Sequence, residues 1–176
     1  MSSRRRMMIA AGRGRGENIS PVFRDAVFSA DEIAEEVDVE PVECAGGCSF
    51  SVLIDDYSSA GENVCGISSI NGWDQLWLQR RDFGNLEIET IECSEEFSSY
   101  AVEDGAPHHI VVVGTPELIR VFVDGELIGE RPGRNFYGDG TIRRMGAQCG
   151  VRNFRVWNRP LTEEEIAEVW EFDGGN

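Results

Sequence analysis

Three acids at alternate positions, Glu36, Asp38 and Glu40, are the arrangement in this chain with the most direct chemical use. On a β-strand, residues i, i+2 and i+4 point to one face, so Glu36-Val-Asp-Val-Glu40 would present three carboxyls together. Two carboxyls about 5–5.5 Å apart are what a retaining glycosidase needs, one as nucleophile and one as acid/base. Cα atoms four residues apart on a strand are roughly 13 Å apart, so Glu36 and Glu40 would have to lean together or be brought in by a bulge. No Trp or Tyr precedes the motif and Pro41 follows it, although sugars need aromatic platforms. The same alternation, valines in and acids out, also describes an edge strand whose charges discourage pairing with another chain. That reading is carried forward, with catalysis by Glu36, Asp38 and Glu40 as the alternative.

Other reactive types are sparse. His108 and His109 are the only histidines, and there is no Ser-His-Asp or phosphate-loop pattern. Gly12-x-Gly14-x-Gly16 lacks the spacing and the preceding strand of a dinucleotide fingerprint. Asp55, Asp56 and Asp139, with Asp74 and Asp104, are strand-end or loop carboxylates of the hard-oxygen kind that calcium takes. With 32 acids in the chain such groupings also arise by chance, so the expectation is no cofactor, with rim calcium as the alternative. Cys44, Cys48, Cys65, Cys93 and Cys149 are odd in number and irregular in spacing, without a partner pair at zinc distance. They read as buried thiols acting as small hydrophobes; one disulfide, Cys44–Cys48 or a bridge between neighbouring strands, is the other option.

A binding role would use exposed aromatics beside polar groups. Trp73 follows the Asn71-Gly72 turn and precedes Asp74; Tyr57 lies in a loop, and Arg80-Arg81 could hold an anionic group or pair with local acids. Trp77, Trp157 and Trp170 read as core, since large aromatics are mostly buried.

The elements that would position these residues are short strands. Ser49–Asp55, Asn63–Ile67, Leu76–Arg80, Leu86–Ile91, His109–Val113, Ile119–Val123, Glu126–Ile128, Met145–Ala147 and Val151–Trp157 each have strand character. Asp124-Gly125 between β-rich flanks predicts a two-residue hairpin turn. Residues 24–47 are ambiguous: Ser29-Ala-Asp-Glu32 is a capping-box pattern that would start a helix at Ala30, while Glu36–Pro41 suits a strand that Pro41 would end. Residues 102–107 and 131–140 read as loops. Thr162, with Glu165 three residues on, caps a closing helix whose apolar stripe is Ile166, Val169 and Trp170. Turn signals every 8–12 residues indicate an all-β, two-sheet antiparallel sandwich.

The stretch from His108 to Glu130, and Gly150-Val-Arg-Asn-Phe-Arg-Val-Trp-Asn-Arg-Pro-Leu-Thr-Glu-Glu-Glu-Ile-Ala167, resemble the laminin G-like (concanavalin A-like) jelly-roll family. Its marks are a His-His strand, a strand ending in Val-Asp-Gly, and a last strand linked by Asn-Arg-Pro-Leu to a short helix. The likeness covers about residues 34–170. It implies a jelly roll in which at least one histidine is structural, with rim calcium in some members. The fold also includes retaining glucanases with a Glu-φ-Asp-φ-Glu strand. It does not imply one function, because lectins, adhesion modules, virion proteins and glycosidases share the fold.

Charge divides the chain into an arm, residues 1–23, and a sandwich domain, residues 24–176. Residues 1–16 hold Arg4, Arg5, Arg6, Arg13 and Arg15 and no acid; the rest carries 11 basic and 32 acidic residues, 11 − 32 = −21. The acidic body argues against wrapping nucleic acid, which needs a basic face. No 18-residue apolar run suggests a membrane span, and the start does not read as a signal peptide. Ser-Arg-Arg-Arg-Met-Met resembles the beginnings of small phage and prophage virion proteins. The expectation is a non-catalytic module of a virion (capsid decoration or tail/fibre) or extracellular surface. It would display a glycan- or cell-surface-binding sandwich, with the arm docking on other subunits or a second copy. A free-standing carbohydrate-binding lectin, a small glycoside hydrolase using Glu36 and Glu40, and a ligand-free decoration protein are the rivals.

Overall fold

The computed structural model describes residues 20–44, 46–55, 63–68, 75–80, 85–89, 94–102, 105–132 and 140–173. Within them twelve strands pair antiparallel into two sheets of six. The first sheet runs, in spatial order, β1 (Phe28–Ile33), β12 (Val151–Trp157), β3 (Cys48–Ile54), β8 (His108–Gly114), β9 (Leu118–Val123) and β10 (Glu126–Pro132). The second runs β2 (Glu36–Glu43), β11 (Thr141–Ala147), β4 (Asn63–Ser68), β5 (Gln75–Arg80), β6 (Asn85–Glu89) and β7 (Ser94–Ala101). This is a jelly-roll β-sandwich with a short C-terminal helix, α2 (Glu163–Phe172).

Alternation along the strands sets the faces. Phe50, Val52 and Ile54 of β3 and Ile110 and Val112 of β8 enter the core between the sheets. There they join Leu76 and Leu78 of β5, Leu86 and Ile88 of β6, and Phe97 of β7. Val111 and Val113 of β8 point the other way and form a second apolar layer with Val22, Phe122, Trp157, Leu161, Ile166 and Val169. That layer lies beneath α2, so β8 is buried along its whole length. A strand covered on both faces needs a continuous apolar run, which HHIVVVG nearly supplies.

Two joints hold the helical end. Thr162 caps α2 through a capping box with Glu165, and Arg159 donates to both Glu165 oxygens, at 2.8 and 2.6 Å. At the other end, Asp173 is buried and accepts from Arg155 Nη1 at 2.7 Å, with His109 Nε2 at 3.4 Å. Burial pushes the Asp173 carboxyl up, but its contacts with His109 and Arg155 outweigh it and hold the group below its ordinary value. Packing reaches back to α1 (Pro21–Arg24), where Trp157 Nε1 donates to Val22 O at 2.7 Å and the Phe23 and Phe172 rings lie 4.5 Å apart.

The two histidines have structural partners. Asp124 and Gly125 adopt φ 51° and 81°, the left-handed pair that a tight hairpin turn requires. Asp124 then clamps β8: its Oδ2 lies 2.8 Å from His108 Nδ1, and its Oδ1 accepts the His109 backbone N–H at 2.9 Å. An added Cβ at Gly125 would also sit 2.7 Å from the Trp170 ring.

Several expectations are corrected. The capping pattern Ser29–Glu32 does not start a helix: residues 28–33 form β1, whose pairing with β12 overrides the local signal. Pro41 does not end β2. The strand continues to Glu43 across a register shift, and the missing Pro41 N–H falls where pairing is already irregular on an edge strand. β10 runs on to Pro132, so residues 131 and 132, expected in a loop, belong to a strand. β7 (Ser94–Ala101) has no counterpart in the sequence reading. No helix of the described residues is long and apolar enough to cross a membrane.

Cys44, Cys48, Cys65 and Cys149 are thiols, the first three buried and Cys149 half-buried; Cys93 lies outside the described residues. Desolvation pushes Cys44 up to about 11 and Cys48 and Cys65 well above the ordinary thiol value. The thiolate is the reactive form. A thiol reagent at pH 8 is therefore expected to modify Cys149 before Cys44, Cys48 or Cys65, which become reactive only on denaturation. Rapid labelling of Cys48 or Cys65 in the native protein, read by peptide mass, would contradict this packing.

Candidate binding face

Both described helices cover the first sheet, leaving the outward face of the second as the place where polar and aromatic side chains gather. Leu76 and Leu78 of β5 and Leu86 and Ile88 of β6 point into the core, so Trp77, Gln79, Glu87 and Glu89 point outward. Register aligns them. One row crosses the sheet as Glu36, Gly146, Gly66, Trp77 and Glu89, each paired with the next. A second row pairs Gln79 with Glu87, and a third runs Asp38, Arg144, Ser68. Gly146 and Gly66 place no side chain between Glu36 and Trp77.

The centre of this face is desolvated. Trp77, Gln79 and Glu87 retain only 4%, 5% and 6% exposure, and Ser68 2%. Gln79 Nε2 donates to Glu89 Oε2 on the diagonal. The Trp77 indole Nε1–H is buried without a hydrogen-bond partner. Such a donor costs about 1–3 kcal/mol if left unmet. Toward the β2 edge, Arg144 binds Asp38 Oδ1 through Nε at 2.9 Å and lies 3.6 Å from Glu36 Oε2, while Gln148 Nε2 donates to Glu36 Oε1 at 2.8 Å.

The residues singled out in the sequence are placed as follows. Glu36 and Asp38 face outward on β2 and are held by Arg144; Glu40 is exposed within the irregular stretch before Pro41. Arg80 ends β5, half-buried. Asp55 follows β3 and takes both Nε (2.9 Å) and Nη2 of Arg152. Trp73, Asp74, Tyr57, Arg81, Asp56, Asp104, Asp139 and the arm arginines Arg4, Arg5, Arg6, Arg13 and Arg15 lie outside the described residues. Among the described residues no three His, Cys, Asp or Glu side chains come together to hold a metal ion. Trp157 is core, and Trp170 is half-buried over Gly125. Trp77 is buried as expected, but on the outward side of its sheet and in neither apolar layer. Sequence reasoning passed over Gln79, Glu87 and Glu89, although the alternation in QLWLQR and NLEIE marks them as opposite to the leucines.

No protein-family model matches the sequence, and no curated protein matches it. Solved structures do. The receptor-binding domain of botulinum neurotoxin C/D mosaic serotype is 16% identical, with a TM-score of 0.53 over 80% of this chain and 42% of that one. The native heptameric SAP-like pentraxin from Limulus polyphemus is 12% identical, with a TM-score of 0.55 over 79% of this chain and 74% of that one. The binding domain of botulinum neurotoxin DC, solved in complex with rat synaptotagmin II, is 10% identical, with a TM-score of 0.53 over 73% and 36%. The chain spans less than half the length of the neurotoxin domains. At these identities the likeness is one of fold: this chain shares the jelly-roll β-sandwich of those proteins.

Proposed function

We propose that the chain is a non-catalytic binding module, a phage virion component of the capsid-decoration or tail/fibre kind that displays a glycan- or cell-surface-binding sandwich. The observation that carries the binding reading is the outward face of the second sheet, where a buried, unmet indole N–H sits among hydrogen-bonding side chains. An aromatic ring with convergent polar groups is the composition of a saccharide site. The matched neurotoxin domains are themselves binding domains, which supports the same class of task. The virion role rests on the arginine-rich arm, opposite in charge to the acidic body: Arg4, Arg5, Arg6, Arg13 and Arg15 would hold the module to other subunits or to a second copy. Trp73, Asp74, Tyr57, Arg80 and Arg81 remain candidates for ligand contacts beyond the Trp77 face.

A glycan and bacterial cell-wall array, run with calcium and with EDTA, tests this. Specific binding that falls at least about tenfold in Trp77→Ala supports the site. If Trp73→Ala weakens binding as well, the contact surface extends to the strand-connecting segment before β5. A blank array in both buffers contradicts the binding reading and leaves a structural part. Hydrolysis is not expected: Arg144 and Gln148 occupy Glu36, and the shift in β2 breaks the alternation between Glu36 and Glu40. A β-glucan panel should show no cleavage; cleavage abolished by Glu36→Gln or Glu40→Gln would reinstate the glycosidase.

A further inference from the structure

We infer that the outer face of α2 receives the arginine-rich arm of a second copy of this chain. This names a surface and a partner for the docking role given to the arm above, and it rests on that role.

α2 buries Ile166 and Val169 against the first sheet and turns Glu164, Glu168 and Glu171 outward, at i, i+4 and i+7 along one face. All three are exposed, and among the described residues none has a cationic partner. The arginines that reach this helix go elsewhere: Arg120 to Glu163, Arg159 to Glu165 and Arg155 to Asp173. Like charges three and four residues apart oppose one another on a helix, and acids in its last turn oppose its dipole. That turn holds no basic residue. A cationic partner relieves both penalties. Beside Glu168 and Glu171 stands Phe172, 67% exposed although its ring rests 4.5 Å from that of Phe23. The face therefore combines unpaired acids with an uncovered aromatic ring.

The arm has the complementary composition. Met7-Met8-Ile9-Ala10-Ala11 lies between Arg4-Arg5-Arg6 and Arg13 and Arg15, with no acid through residue 16. Residues 4–15 reach roughly 40 Å when extended, and a ten-residue helix is about 15 Å long. The arm can thus cross the whole of α2, its arginines on the three glutamates and its methionines, which adapt well to aromatic rings, on Phe172. Exposed ion pairs are individually weak, so several pairs and the apolar contact have to act together. Outside the arm the chain carries 11 − 32 = −21, and two such bodies repel. The arm is the segment by which a second copy brings positive charge to this face, and screening over about 8 Å at physiological salt lets it do so locally. Arm on helix is a heterologous contact, so it repeats from copy to copy into a row or a ring.

Sedimentation velocity of the full chain at about 0.15 M salt tests this. Association should rise with protein concentration and weaken at least about tenfold at about 0.5 M salt. A helix-face variant, Glu164→Gln with Glu168→Gln and Glu171→Gln, should sediment as a monomer with its melting temperature kept. An arm variant, with Arg4, Arg5, Arg6, Arg13 and Arg15 each changed to Gln, should do the same. Mixed, the two variants should form a one-to-one pair, because the first supplies an arm and the second a helix face. Phe172→Ser should weaken the association of the otherwise unchanged chain several-fold. A wild type that stays monomeric at every concentration overturns the inference, as does association that survives in the helix-face variant. Wild-type association without pairing of the mixed variants overturns it too. The glycan array is read separately: a glycan signal from a monomeric wild type removes the inference alone, and a blank array beside association through α2 removes only the binding reading.

Discussion

Asp173→Ala is expected to destabilise the native state by about 3–5 kcal/mol, because it strands the Arg155 guanidinium beneath α2. Arg155 and Asp173 side chains are only 9% and 1% exposed, joined at 2.7 Å, and no described carboxylate other than Asp173 is seen to pair with Arg155. Denaturant unfolding of the full chain measures the loss. The exposed pair Arg152–Asp55 is the control: those side chains keep 43% and 60% of their exposure, and Asp55→Ala should cost about 0–1 kcal/mol. Acid should act through the same joint. The Asp173 carboxyl is held below its ordinary 3.8 in the folded state, so its contribution is complete above that value and is lost as pH falls through the lower, folded one. Wild-type stability should therefore fall more steeply below about pH 4 than that of Asp173→Asn, which has no such group to titrate. Equal slopes for the two proteins would remove Asp173 from the acid response.

Gly146→Ala is the second large effect, at about 2–5 kcal/mol. Gly146 has φ +138°, where L side chains are strained, and an added Cβ would lie 2.3 Å from the Glu35 carbonyl oxygen and 3.0 Å from Glu36 Cα. Both obstacles are backbone, so the β1–β2 connection has to move. Gly105→Ala separates the two causes. Its φ is +76° with nothing within 4 Å of the new Cβ, so only strain of about 1–2 kcal/mol applies. Gly46, with open space and no positive φ in its favour, should accept Ala nearly without cost. Equal losses at Gly146 and Gly105, read as melting temperatures, would mean that the close approach to Glu35 is absent.

Features set by neighbouring residues were legible in the chain. The Asp124-Gly125 turn, the Thr162–Glu165 box and β12 all declare themselves within a few positions, and the structure has each where expected. Features set by distant partners were less so. Ser29 and Glu32 have the spacing of a helix cap, and only pairing with β12 makes the segment a strand. β7 has Phe97 as its described core side chain, too little apolar content in SEEFSSYA to reveal a period. The candidate face was hidden for the same reason. Trp77 was recognisable as a residue that would be buried, but Leu76 and Leu78 take the core side of β5, which puts Trp77 on the outward face. The row Glu36–Gly146–Gly66–Trp77–Glu89 draws on five strands from across the chain, and no local spacing encodes it. The acids that were singled out, Glu36 and Asp38, do lie on this face, at its edge, with Arg144 between them.

The most direct test of the account follows the indole N–H resonances of the ¹⁵N-labelled full chain while a saccharide identified on the array is added. Trp157 Nε1 is already bonded to Val22 O and serves as the internal reference. The Trp77 indole resonance is expected to shift on saturation and to exchange more slowly with solvent, while that of Trp157 stays in place. A saccharide that binds while the Trp77 resonance remains still would contradict the assignment of the binding site to the outward face of the second sheet.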